Sequence, residues 1–203
     1  MKLQSSLEDD AVRLAASVAT RLCHDMAGLL GILAGTLDMA DEDPEAKVLA
    51  AETAQTLITR VRLLRAVWGG DGGAMDAGAI AGLAAGLPGI ERLRLDFAGL
   101  SDELAETPAR LLLCVLVAAT TGLPRGTVLS FRTVPHGGGC LKIAGSAAAW
   151  PPSLLACANS ETALWEAATA PRDVAAPLAC LLARDHGWQI RVEGDSVMVV
   201  QAK

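Results

Sequence analysis

No Cys-x-x-Cys pair, no surplus of basic residues and no long uninterrupted apolar run occurs in this sequence, and each absence closes off a class of function. The five cysteines (Cys23, Cys114, Cys140, Cys157 and Cys180) are odd in number and unpaired in spacing. They read as reduced, mostly buried thiols of a cytoplasmic protein rather than as a disulfide framework. A net charge of −6 without clustered Lys and Arg argues against nucleic acid as a ligand. The N-terminus reaches Glu8-Asp-Asp10 with no basic-then-apolar segment before it, so no signal peptide is expected. His24, Asp25 and Asp38 interrupt the most apolar stretch, which excludes a membrane span. There is no GxxxxGK[ST] loop to cradle phosphates. His136-Gly-Gly-Gly139 matches an esterase oxyanion loop, but without a G-x-S-x-G elbow a hydrolase is rejected.

What is present is a folded chain: 52% hydrophobic and 20% charged over 203 residues, enough for one large or two small cores. Its organising stretch runs from Arg21 to Asp38. At roughly 100° of rotation per helical residue, Leu22, Met26, Leu29, Leu33 and Leu37 form one apolar stripe, and His24 lies nearly opposite. Ser17, Thr20, Gly28, Gly31 and Gly35 share its side, with Ala27 slightly off the line. Each interior glycine weakens a helix by roughly 0.8–1 kcal/mol relative to alanine. Three of them aligned with one histidine point to the close approach of a partner. Cys23-His24-Asp25 is not a metal site, because neighbouring helical residues diverge by about 100° and no second cluster has ligand spacing.

Apolar residues at spacings of three and four predict a helix from about Leu7 to Ala40, with Ser5 or Ser6 and Glu8, Asp9 and Asp10 at its start. Asp41-Glu-Asp-Pro-Glu45 is a turn, Asp43 the cap and Pro44 the first helical position. A second helix then runs to Trp68 with Ala50, Ala54, Leu57, Val61, Leu64 and Trp68 along its apolar stripe. Two long helices on so short a turn are antiparallel neighbours. One hairpin cannot bury both stripes, so a homodimer built on a four-helix bundle is expected. Equal distances from the turn bring Thr59, Arg60 and Arg62 to the level of His24, with Thr59 and Arg62 flanking it. Gly69-Gly-Asp-Gly-Gly73 marks the domain boundary. The expected division is a hairpin over 1–68, a linker over 69–78 and a second domain over 79–203. In that domain helices are expected at Asp76–Leu87, Glu106–Thr121, Pro152–Ala168 (one or two) and Arg172–His186. Strands are expected at Arg92–Phe97, Thr127–Val134, Cys140–Ala144, Trp188–Glu193 and Val197–Gln201. Helices on one face of a mostly antiparallel sheet make an α/β sandwich, and the whole chain α+β.

Four stretches carry a family likeness: Leu22-Cys-His-Asp-Met26 with Gly31 after it; Arg60-Val-Arg-Leu-Leu-Arg-Ala-Val-Trp-Gly69; Leu111 to Gly126; and Pro171-Arg-Asp-Val174 leading into Leu178–Arg184. In this order they resemble the dimerisation and ATP-binding domains of bacterial sensor histidine kinases. More closely, they resemble ChpT-type histidine phosphotransferases, which keep that architecture without using ATP. The resemblance implies that His24 is the phosphoacceptor and that Asp25 orients its ring and takes up its proton. It implies docking of partners across Ser17, Thr20, Arg21, Ala27, Gly28, Gly31, Gly35, Thr59 and Arg62. The partners would be receiver domains of a hybrid kinase and of response regulators, which bring their own Mg²⁺; no cofactor or metal of this chain is implied. Leu29 stands where the family usually has a proline, which implies a straighter helix. Cys114 and Ala118 stand where a kinase has Mg-ATP-binding asparagines, and Ala144-Gly-Ser-Ala-Ala-Ala-Trp150 replaces Asp-x-Gly-x-Gly. Other readings remain open: an ATP-dependent histidine kinase, or a non-catalytic scaffold.

Overall fold

The computed structural model describes residues 2–69, 72–100, 103–120 and 122–202, with side chains from Asp9 onward. Helix is already formed at Lys2, ahead of the expected start near Leu7, so Ser5 and Ser6 lie within it and do not cap it; the Leu7 side chain, Gly70 and Asp71 of the linker, and Thr121 lie outside the described residues.

Helices α1 (Lys2–Met39) and α2 (Pro44–Leu64) form the expected antiparallel hairpin. Asp43 caps α2 by accepting the Glu45 amide at 2.8 Å, and Pro44 follows in the first turn. α1 runs unbroken through Leu29, as a leucine at that position allows. Where the sequence predicts regular helix to Trp68, α2 instead ends at Leu64 and a π turn spans Arg65–Gly69. Its Val67 is fully buried, and the Val67 carbonyl accepts the Arg110 Nε–H at 2.9 Å, a side-chain partner for a helix-end acceptor.

The remaining elements are α3 (Ala77–Ala84), β1 (Arg94–Gly99), α4 (Glu106–Thr120), β2 (Val128–Val134), β3 (Gly138–Ala144), α5 (Pro152–Asn159), α6 (Glu161–Ala168), α7 (Ala175–Asp185), β4 (Trp188–Glu193) and β5 (Ser196–Gln201). Asp76 caps α3 through the Ala79 amide at 2.7 Å. α3 stops three residues short of the expected Leu87. Gly86 lies so close to α2 that a Cβ there would come within 2.6 Å of the Thr59 carbonyl oxygen.

The five strands lie in the order β1-β2-β3-β5-β4, with β1 parallel to β2 and every other pair antiparallel. A parallel pair needs a long crossover, which α4 supplies. Leu129 and Phe131 of β2, Leu141 of β3, and Val197 and Val199 of β5 alternate along their strands and are fully buried. They join α4 and α7 in one core, which Leu63, Ala66 and Val67 of the hairpin also enter. Phe131 stacks on Phe97 with ring centroids 4.5 Å apart. Phe131→Ala is expected to lower stability by about 3–5 kcal/mol, measured as a shift of the urea midpoint at constant slope.

Candidate functional site

His24 stands on α1 with its side chain 85% exposed, whereas the neighbouring Asp25 is only 16% exposed. The His24 Nδ1 faces Asp25 Oδ1 at 3.5 Å, which leaves Nε2 on the ring edge turned away from the carboxylate. The other Asp25 oxygen accepts the Arg21 Nε–H at 2.8 Å, a pairing favoured by their separation of one helical turn. Asp25 is therefore held from behind, and His24 is not.

Ala27, Gly28, Gly31 and Gly35 extend the open face beyond His24. All four are exposed, and a Cβ built on any of the three glycines meets nothing within 4 Å. Thr20 is exposed and borders a groove with His24 and the segment Ala170-Pro-Arg-Asp173.

Other expected docking residues are placed differently. Ser17 is buried at 7% exposure: α6 packs on α1, and the segment after it reaches the N-terminal side of His24. Arg21 lines the groove with Thr20 and His24, its guanidinium spanning Asp25 and the Arg172 carbonyl, 3.2 Å away. Thr59 and Arg62 do not flank the histidine. They line a separate groove against Gly82 and Leu83 of α3, and the Thr59 hydroxyl donates back to the Gln55 carbonyl at 2.9 Å.

The α2 residue that does reach the site is Arg60, which the sequence placed at the right level without a role. Its Nε–H donates to the Gly86 carbonyl at 3.3 Å, and its Nη1 to the Asp25 carbonyl at 3.5 Å. Burial pushes its guanidinium below the ordinary value, the Asp25 charge works against that shift and the Arg21 charge adds to it. The signal that could have found it is the coincidence of a cation with the level of His24 on the neighbouring helix.

The two positions where the resemblance implied lost asparagines are Cys114 and Ala118. Cys114 is buried with its thiol 3.7 Å from the Val67 carbonyl, and Ala118 borders a cavity between hairpin and sandwich. Among the described residues no cluster of three His, Cys, Asp or Glu side chains could hold a metal ion, and no helix is long and apolar enough to cross a membrane. His136 sits exposed in the turn between β2 and β3 at φ 64°, and His186 ends α7 ahead of Gly187 at φ 72°. They are a turn residue and a cap residue on elements other than α1.

Thiol chemistry separates the site from the core. Burial pushes Cys114 and Cys180 up to about 12 and Cys157 to about 11, whereas Cys23 is exposed beside His24. Because the thiolate is the nucleophile, these three remain protonated at pH 8. Iodoacetamide at that pH is expected to modify Cys23 alone in the native protein and all five cysteines in urea, read by peptide mass.

The site is a solvated imidazole with one nitrogen turned to a carboxylate and the other outward, beside an open glycine face. A family model described as the histidine phosphotransferase C-terminal domain matches residues 77–196. A solved bacterial phosphotransferase aligns over 93% of this chain and 95% of its own, at 22% identity and a TM-score of 0.67. The histidine kinase domain of the blue-light activated kinase EL346 from Erythrobacter litoralis aligns over 85% and 93%, at 13% identity and a TM-score of 0.38, too distant a likeness to argue from. No curated protein sequence matches.

Proposed function

The chain belongs to the histidine phosphotransferase family, as its resemblance to ChpT-type proteins implied, and from that premise we propose that it relays phosphoryl groups between receiver aspartates through His24 without using ATP. The observation that carries this reading is the 85% exposed ring with Nδ1 toward Asp25. If Nδ1 carries the proton, its hydrogen bond to Asp25 fixes the tautomer and leaves the Nε2 lone pair free. Nε2 attacks the phosphorus of an aspartyl phosphate, the N–P bond forms, and the carboxyl O–P bond breaks with its electrons returning to the receiver's carboxylate. The Nδ1 proton stays shared with Asp25, which balances the imidazolium charge. Reversal onto a second aspartate completes the relay. The receiver brings the Mg²⁺ and lysine that offset charge on the transferring group, so this chain contributes the nucleophile and its placement.

We also read the protein as a cytoplasmic homodimer, with residues 1–68 as the dimerising and phosphoacceptor hairpin, 69–78 as linker and 79–203 as a degenerate kinase-like domain. Nine of the ten exposed large apolar side chains among the described residues lie on the hairpin, among them Val12, Leu30, Ile32, Val48 and Ile58. A second hairpin would cover such a patch.

Transfer of label from a radiolabelled phospho-receiver to this protein is the deciding experiment; no uptake by the wild type would leave only a scaffold. The ATP-dependent alternative predicts stabilisation by nucleotide. Millimolar Mg-ATP is expected to leave the melting temperature unchanged, and a concentration-dependent rise would favour a kinase.

A further inference from the structure

Apart from Asp25, which lines it, the relay chemistry makes no use of the cavity of about 380 Å³ between hairpin and sandwich. One wall is the end of α2 and its π turn, with Leu63, Leu64 and Trp68; the facing wall is Leu87 with Val117 and Ala118 of α4. Its size and largely apolar lining are those of a site for a small organic molecule. Its charged lining is unbalanced: Arg21, Arg60 and Arg172 stand against Asp25 and Asp173.

Arg60 is the group left incomplete. It is half-buried, its hydrogen bonds are long and go to neutral carbonyls, and the nearby Asp25 carboxylate is already taken by Arg21 at 2.8 Å. Among the described residues no carboxylate forms an ion pair with it. A partly desolvated cation of this kind gains most from an anion delivered into the same low-dielectric space.

We infer that this cavity binds a small organic anion, its apolar aromatic or branched body between Trp68, Leu87 and Val117 and its acidic group on Arg60. Arg172 and Asp173 line both this cavity and the groove beside His24. An occupant therefore also fixes the segment bordering the imidazole; that consequence rests on the relay reading, whereas binding itself does not.

The probe is 8-anilinonaphthalene-1-sulfonate, an aryl sulfonate, read by energy transfer from tryptophan and by calorimetry on the full chain. One saturable site per chain is expected. Arg60→Met, which removes the charge and keeps the space, and Ala118→Trp, which fills the space and keeps the charge, each weaken binding at least tenfold. Glu193→Gln, exposed on β4 and outside the cavity lining, leaves it unchanged. N-phenyl-1-naphthylamine, the same molecule without its sulfonate, binds at least tenfold more weakly and is indifferent to Arg60→Met. Circular dichroism confirms that each variant is folded; if Ala118→Trp is not, Arg60→Met and the neutral compound still decide. The proposal is overturned by absence of saturable binding, by affinity unaltered in Arg60→Met, or by equal affinity for the neutral compound. Because the readout is binding, it can fail while phosphotransfer succeeds, and the reverse.

Discussion

His24→Ala is expected to lose all uptake of label from a phospho-receiver, a fall of at least a thousandfold measured as protein-bound, acid-labile phosphate, and to keep its melting temperature within about 1 °C of the wild type. The two halves of that result have separate causes. Transfer would fail because, on the proposed relay, Nε2 forms the bond to phosphorus, and the other two histidines lie on other elements, His136 in a turn and His186 at a helix end of the sandwich. Folding is untouched because an 85% exposed ring contributes little packing, and alanine is the better helix former. Asp25→Asn makes an informative companion. It keeps the shape beside Nδ1 but not the charge, so a partial loss of transfer with unchanged docking is expected. Full activity in His24→Ala would mean that another group accepts the phosphoryl.

Gly31→Leu is expected to slow transfer by about tenfold to a hundredfold, equivalent to roughly 1.4–2.8 kcal/mol of docking, and to leave the oligomeric state, checked by light scattering, unchanged. Gly31 lies two turns beyond His24 on the same side of α1, about 10 Å along the axis. A Cβ there meets nothing within 4 Å, so the protein itself has room for a larger side chain and only a visiting surface does not. Gly31→Ala provides the contrast: it stabilises the helix by roughly 0.8–1 kcal/mol and alters transfer far less. Equal transfer rates for wild type and Gly31→Leu would move the docking surface elsewhere.

The hairpin was legible in the sequence because its signals are local. Apolar spacing fixed both helices, and Asp43-Pro44 fixed the turn between them. The sheet was legible for the same reason, since alternation along Leu129 to Phe131 and Val197 to Val199 marks one buried face. The exposure of His24, Gly28, Gly31 and Gly35 followed from the helical wheel alone. The wheel gave Ser17 the same exposure, and there it failed. A wheel describes one helix and cannot know that α6 comes to lie on it. Arg21 was read as a docking residue alone because its other partner, the Arg172 carbonyl, belongs to a segment that a wheel of one helix does not include. Thr59 and Arg62 were misplaced because distance from a turn gives the level of a residue on a helix but not the direction it faces. Arg60, between them, has the right direction.

The two hairpin arginines that reach the sandwich end on main-chain oxygens, Arg21 on that of Arg172 and Arg60 on that of Gly86. Every amino acid carries such an oxygen, so position 172 can drift through any side chain that keeps the backbone path without loosening the joint. Position 86 cannot drift, since any Cβ would strike the Thr59 carbonyl. Among relatives the joint would then leave almost no trace of compensating pairs: two steady arginines, one steady glycine, and a free-running residue at the fourth corner.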